Sequence, residues 1–490
     1  MYGFVYDLHG VYGDRDGAVY PVNADGERAP AALRELVGDA HADRVATLRG
    51  IARVGRRSLA DRREHPTTVS PRRPNGNQMD RRVLFATLIL LAGGATGVGV
   101  ALFAFVGVDD ATTETTVVWE SEPAAGDDGS GAAVATVDGD PLLLRPAVEN
   151  GSRVVRATVA GGDETTWTVP ISGPDAERGG GDANGSDGDP SGVSGLTTGT
   201  LGGDPVAALT TAPGELVVVD AADGTERFAV DIGGPGGLRP AIGDLTGDGT
   251  PEVAAVGTDG SVRVVDGEGD SVTEASLSGD IDRRPLVVEP DAEAGERGGI
   301  AVMTTTGDPA TVHLLDETGE ARWTTTPNVN PYSWNAADSR DGSVLVLGGT
   351  SGNIEAVETG DGSDRYEVGL QDLPVEVGDA DPGTVYVGGS GSVWAVDLLD
   401  GEVVWKQQYG ASTRINEPGV GDTDGDGELA PVVVNRAGEV LAMTQRGKVT
   451  ARGGPDAVVY GGPLFADVTG DGGDEVIVVA DDGTAIAADT

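Results

Sequence analysis

The 490-residue chain reads as an all-β propeller of four-stranded blades, preceded by a single N-terminal transmembrane helix. Three observations carry this reading. Short apolar, β-branched runs separated by Asp/Gly turns recur from about residue 132 to the C-terminus. Most repeats open near a proline or close on a Gly-x-x-x-aromatic element, and one uninterrupted apolar run, Val83 to Val108, stands well before the first repeat.

Taken in chain order, residues 1–82 carry 14 arginines against 11 acids, are rich in Arg and Pro, and hold at most one weak helical stretch, Ala31 to Arg57. They are expected to be largely unstructured. Val83 to Val108 follows as 26 residues without a charge and without a polar face at helical spacing, enough to cross roughly 30 Å of hydrocarbon. Gly93, Gly94, Gly97 and Gly99 within it are tolerated as small residues often are in membrane helices. Arg72, Arg73, Arg81 and Arg82 precede the span, and Asp109, Asp110 and Glu114 follow it. That asymmetry places the N-terminus inside a cell membrane and the repeats outside, in a single pass. Met79-Asp80-Arg81-Arg82-Val83-Leu84-Phe85 also resembles the start of a twin-arginine export signal, with two ordinary anchoring arginines as the alternative. If export begins at Met79, residues 1–78 are an extension ahead of the true start. No small-residue cleavage site stands out after the apolar core, so an uncleaved anchor is expected.

The extracytoplasmic part, 109–490, is then a repeat array. Proline starts are clear at Pro240, Pro285, Pro374, Pro418 and Pro463, and aromatic ends at Phe228, Trp323, Tyr366 and Trp405, four residues after Gly224, Gly319, Gly362 and Gly401. Strands are read over 241–244, 252–257, 261–266 and 271–277 in one unit. Four short strands per repeat, no amphipathic helical run and a period near 40 to 50 residues describe a propeller blade. A lone sheet of this kind cannot bury both faces, so the units must stack, and the outer-strand aromatics are expected to pack between blades. Units fall at about 132–170, 195–232, 238–277, 284–325, 334–370, 374–410, 418–454 and 463–490. The last stops at Ala485-Ile486-Ala487-Ala488-Asp489 without a final strand, and Thr115-Thr116-Val117-Val118-Trp119 resembles the missing piece. The ring is therefore expected to close by lending that segment to the C-terminal blade, giving eight blades. Seven is the alternative, because the first two units are weak and the Gly/Asp/Ser-rich stretch 172–194 between them reads as a flexible loop.

Charge and composition narrow the function classes. The net charge is −47, and beyond residue 82 there are 19 bases against 69 acids, only Lys406 and Lys448 being lysine. Phosphate would be repelled over nearly the whole surface, so nucleic acid is excluded as a partner. The composition resembles that of halophilic archaeal proteins. At molar salt the Debye length falls to roughly 3 Å, carboxylates cease to repel at a distance, and the fold is expected to loosen on dilution. There is no cysteine, which removes disulfides, thiolate metal sites and cysteine nucleophiles.

The best ligand pattern is D-x-[DT]-x-D-G-x-x-E. Asp244, Thr246, Asp248 and Glu252 make one copy, and Asp467, Thr469, Asp471 and Glu475 another. Alternate oxygen side chains on a glycine turn can converge on a hard cation, and calcium is the natural occupant, in a structural role. Ordinary Asp-Gly hairpin turns are the alternative. A third copy, Asp422, Asp424 and Asp426, has Ala430 where the last carboxylate belongs and is expected to bind weakly or not at all. Asn150-Gly151-Ser152 and Asn184-Gly185-Ser186 are candidate glycosylation sequons. His9, His41, His65 and His313 are scattered and assemble no triad or metal motif; His313 reads as a strand residue.

Two families resemble these repeats. Residues 385–397 (VYVGGSGSVWAVD) with Gly401-Glu402-Val403-Val404-Trp405 look like the repeat of PQQ-like propellers, and residues 244–253 (DLTGDGTPEV) look like the calcium loops of FG-GAP, integrin-α-like propellers. The resemblance covers about 115–490. It implies the propeller fold and says little of function, since such families include enzymes, adhesins and assembly scaffolds. PQQ-dependent dehydrogenases commonly use an adjacent cysteine pair that this chain lacks, so no PQQ is expected; nothing singles out the catalytic base of a polysaccharide lyase either. The expectation is a membrane-anchored, non-catalytic module that binds a protein or glycan, with an exported propeller enzyme and an envelope-assembly scaffold as alternatives.

Overall fold

Side chains alternate across a β-strand, so a strand apolar at every position needs a partner on both faces. The second strands of most repeats carry an apolar run of this kind, as in Val253–Val256 of the strand Glu252–Val256, which is buried throughout. The computed structural model describes residues 10–13, 19–22, 113–124, 129–150, 152–162, 165–171, 193–290, 297–305, 309–408 and 413–490. The chain divides into two units, 1–100 and 101–490. In the first, Gly10–Gly13 pairs antiparallel with Val19–Val22, a hairpin within the segment expected to be largely unstructured. The apolar span 83–108 lies outside the described residues, and among those described no helix is long and apolar enough to cross a membrane.

The second unit is an eight-bladed propeller. Blades 1 to 8 occupy residues 133–170, 197–231, 241–276, 280–325, 331–369, 376–408, 419–453 and 464–489, and their strands pair in sequence order. Blade 3 runs Ala241–Gly243, Glu252–Val256, Ser261–Val265 and Ser271–Ser276, each within a residue or so of the expected strand. Blade 4 splits its first strand into Asp280–Ile281 and Leu286–Val288, both paired with Gly299–Thr305. The first strands of blades 1 to 7 contact one another in turn, Phe465 of blade 8 lies against Gly419 and Gly421 of blade 7, and the first strand of blade 8 contacts that of blade 1, so the strands surround the axis and the ring is closed.

The core consists of seams. In blade 3, Val253 and Ala255 pack with Val206, Ala208 and Val218 of blade 2, whereas Ala254 and Val256 pack with Ile300 and Val302 of blade 4. A similar buried cluster joins every neighbouring pair around the ring. Full burial of one such Val or Leu contributes ~1.5–3 kcal/mol, and no blade could secure it alone.

The outer edge is built the same way in each blade. The ladder between the third and fourth strands slips by one residue in all eight, a bulge that raises the local twist. The fourth-strand aromatic then lies over the glycine of the next blade's turn: Trp167 on Gly224, Phe228 on Gly269, Trp323 on Gly362, Tyr366 on Gly401 and Trp405 on Gly447. These glycines have φ between +74° and +86°, and an added Cβ would meet the ring. Glycine is therefore required twice over. The indoles also donate to the turn, Trp167 Nε1 to Ala221 O at 3.0 Å and Trp323 Nε1 to Thr359 O at 2.8 Å. In blade 3 Thr273 substitutes, its Oγ1 donating to Glu317 O at 2.6 Å.

Closure follows the expected route. Thr116–Glu120 completes blade 8 by pairing with Ala485–Asp489, Trp119 facing Ala487. Just before it, Thr113–Glu114 pairs parallel with Val449–Gly453 of blade 7.

Candidate functional site

Antiparallel strands reverse direction at every turn, so the turns after strands one and three share one face of the ring and the remaining connections share the other. All three acidic loops follow a first strand, in blades 3, 7 and 8, and hence open on the same face.

In the blade 3 loop the carboxylates of Asp244, Asp248 and Glu252 have oxygens within 4.8 Å of one another. Asp244 accepts from Gly247 N at 2.7 Å and Gly249 N at 2.8 Å, and Asp248 from Thr250 N at 2.8 Å. Glu252 starts the second strand, is buried, and accepts from Leu245 N at 2.8 Å and Thr246 Oγ1 at 3.2 Å. Burial pushes its pKa up, with backbone and hydroxyl donors working against the rise. The turn is thus closed by its own donors, and three carboxylates are left close enough to share a hard cation.

The blade 8 loop repeats the hydrogen bonding. Asp467 accepts from Gly470 N at 2.6 Å and Gly472 N at 3.1 Å, and buried Glu475 accepts from Val468 N at 2.6 Å and Thr469 Oγ1 at 2.9 Å. Asp471 is turned to Gly473 N at 3.1 Å. Its acids do not form a set within 4.8 Å, whereas Asp422, Asp424 and Asp426 of blade 7 do. Where the blade 7 loop has Ala430, the next blade supplies a carboxylate: Asp474 accepts from Asp422 N at 3.2 Å and its own N–H donates to Asp422 O at 2.7 Å. Burial, then the charges of Asp422 and Asp467, raise the Asp474 pKa. A substitute from the neighbouring repeat cannot be seen in a motif read along one repeat.

Asn150 sits exposed at the turn between the second and third strands of blade 1 with φ +51°. Asn184 lies outside the described residues, as does most of the loop 172–194. His313 is in the strand Ala310–Leu315, with Nε2 2.9 Å from Thr304 Oγ1, and burial lowers its pKa.

A second cluster, not signalled by any motif, crosses the axis. Arg284 Nη2, at the start of blade 4, donates to Glu417 Oε1 at 3.1 Å, at the start of blade 7. These blades are not neighbours, so the pair bridges the channel. Asp379, on the first strand of blade 6, faces the same ion pair. Asp379 is exposed at this position, and desolvation by the surrounding protein, then the charge of Glu417, raises its pKa to about 6, against the pull of Arg284. An acid whose folded pKa is raised stabilises the fold below its unfolded pKa and loses that contribution as pH climbs through the folded value. Asp379→Asn is therefore expected to melt like the parent near pH 4 and above it past pH about 6; thermal melts at fixed salt across this range check it.

Residues 258–490 match a family model described as outer membrane protein assembly factor BamB. The crystal structure of BamB from Moraxella catarrhalis is similar with a TM-score of 0.50, 16% identity, and coverage of 77% of this chain and 98% of that one. Sqt1 from Saccharomyces cerevisiae is similar with a TM-score of 0.56 at 13% identity, covering 77% and 98% of the two chains. The computationally designed Ika8 protein gives 0.53 at 14%, covering 75% and 100%. No curated protein matches the chain. The family match supports PQQ-like repeats in the matched residues, and the structural likenesses bear on the fold alone.

Proposed function

We propose that this chain is a non-catalytic binding or scaffold module that engages a protein or glycan through the connections on one face of its propeller. The observation that carries the reading is the match of residues 258–490 to a family described as an assembly factor, borne on a complete ring. A scaffold needs a rigid rim and exposed loops, both of which a closed propeller supplies. The apolar run Val83 to Val108 supports anchoring in a cell membrane with the ring outside, and the acidic surface supports a halophilic setting.

The same proposal gives the acidic loops a structural cation, with FG-GAP-like geometry. The residues fit: Asp244, Asp248 and Glu252 would hold calcium in blade 3, and Asp422, Asp424 and Asp426 in blade 7. Calcium at a hundred times its dissociation constant would add about 2.7 kcal/mol per site. Millimolar calcium is expected to raise the melting temperature, EGTA to reverse the rise, and Asp244→Asn with Asp248→Asn to abolish the blade 3 share.

The functional reading is tested by affinity capture from native membranes in high salt with the tagged chain as bait. A reproducible protein or glycan partner is the expected result. A purified chain that turns over sugars or alcohols, or that carries a bound quinone, would replace this reading with an exported enzyme.

A further inference from the structure

The face opposite the acidic loops carries a different chemistry. Arg414 lies in the connection from blade 6 to blade 7, Arg436 in the turn after the second strand of blade 7, and Tyr460 in the connection to blade 8. Tyr332 opens the first strand of blade 5, and Leu373 lies just ahead of blade 6. All five sit among the connections that follow second and fourth strands.

They are joined by direct contacts. The Arg414 guanidinium stacks 4.7 Å above the Tyr332 ring, and that of Arg436 5.4 Å from the Tyr460 ring. Arg436 N donates to Arg414 O at 2.9 Å, and Val459 N to Arg436 O at 3.4 Å. Ser390 bridges to Arg414 and donates its hydroxyl to Leu373 O at 2.7 Å. Leu373, Val458 and Tyr460 are among the exposed large apolar residues, at 57%, 38% and 38%.

The charge balance is unusual for this molecule. Arg414 and Arg436 are close enough that burial, then the charge of Arg436, lowers the pKa of Arg414 to about 10. Glu376 pairs with Arg414. The Nε atoms of both arginines are buried without a hydrogen-bond partner. A chain with net charge −47 thus holds two partly buried guanidiniums together here, one of them with a carboxylate already on it. A guanidinium stacked on a ring keeps its planar N–H edge for a carboxylate, and Arg and Tyr beside exposed apolar groups are the composition of interface hot spots.

We propose that the Arg414–Arg436 pair, with Tyr332, Tyr460, Leu373 and Val458, is the docking site for an acidic, apolar segment of a partner protein. A partner carboxylate meets the Arg436 edge as Glu376 meets Arg414, and a neighbouring apolar side chain covers Leu373 or Val458. Charge complementarity selects the acidic segment, since the rest of the surface repels one. This inference rests on the binding-module reading and adds to it the face and the partner chemistry.

The test uses the full chain and a short fluorescein-labelled, amidated peptide alternating leucine and glutamate, read by fluorescence anisotropy. The peptide is expected to bind, and its glutamine counterpart to bind about tenfold more weakly or worse. Arg436→Gln should cost a similar factor with unchanged circular dichroism, and Tyr460→Ala, at an exposed position, should weaken binding if Arg436→Gln disturbs the fold. Arg446→Gln, on the other face, should change nothing, and millimolar inorganic phosphate should not displace the peptide. Equal binding by the glutamine peptide, undiminished binding by both variants, or ready displacement by phosphate overturns the proposal. Loss of the peptide result with a partner still captured from membranes would remove this face assignment and leave the module reading standing.

Discussion

Internal deletion of residues 113–120 is expected to abolish the cooperative melt and to yield aggregating protein. These residues supply the fourth strand of blade 8 and a fifth to blade 7. Without them the strand Ala485–Asp489 becomes an open edge, a template for pairing with other chains. The closing segment is also held by groups from the first and last blades. Trp119 is buried with Ala132, Leu143 and Ala160 of the first repeat and Ala466, Ile477 and Val479 of the last. Ser121 N donates to Ala485 O at 2.8 Å, and Ala485 N donates to Ser121 Oγ at 2.9 Å. Buried Arg145 of blade 1 reaches over to donate to Gly483 O at 2.6 Å and Ser121 Oγ at 3.4 Å. Trp119→Ala alone should cost ~3–5 kcal/mol, the usual toll for an aromatic removed from a core; urea titration monitored by circular dichroism measures it.

Trp405→Ala is expected to destabilise the ring by a similar amount, ~3–5 kcal/mol, through a different seam. Trp405 is 8% exposed and packs with Val433, Leu441 and Met443 of blade 7, its ring 5.9 Å from that of Tyr386. Its Nε1 donates to Gln445 O at 2.7 Å, and the ring covers Gly447. Trp405→Phe keeps most of the packing and loses the hydrogen bond, for about 1–2 kcal/mol. Gly447→Val attacks the same latch from the other side: its Cβ would lie 2.6 Å from Cδ2 of the indole, at φ +75°. Equal stability of Trp405→Ala and the parent would show that the seam does not hold the ring.

These effects trace to features of unequal visibility in the sequence. Blade number and the origin of the closing strand were legible because strand period, proline starts and Asp/Gly turns are local, and because the last repeat visibly lacks a strand that Thr115 to Trp119 resembles. Seven blades remained open at that level; the paired strands decide for eight. The aromatic latch was half legible. Gly401 and Trp405 stand four apart in one repeat, yet Tyr366 of the preceding blade covers Gly401 and Gly447 of the following blade lies under Trp405. A motif read along one repeat shows the parts without showing which repeats they join.

The candidate sites divide in the same way. Asp244, Asp248 and Glu252 converge because one turn holds all three. Asp474 reaches Asp422 across a blade boundary, and Arg284 reaches Glu417 across the axis, 133 residues away. Such pairs exist only because blades stack around a common axis, so no spacing rule read along one repeat could announce them. The stacking of Arg414, ahead of blade 7, on Tyr332 of blade 5 is of this type too.

Closure by the N-terminal strand is therefore the claim on which the rest depends, and the absence of native cysteine makes it directly measurable. Thr116 and Asp489 are exposed partners across the final ladder. Thr116→Cys with Asp489→Cys should form a disulfide in the folded protein under mild oxidation, seen as a compact species on non-reducing gels that melts higher than its reduced form. Failure of the pair to cross-link in folded protein, with a control pair inside blade 5 linking readily, would contradict the account.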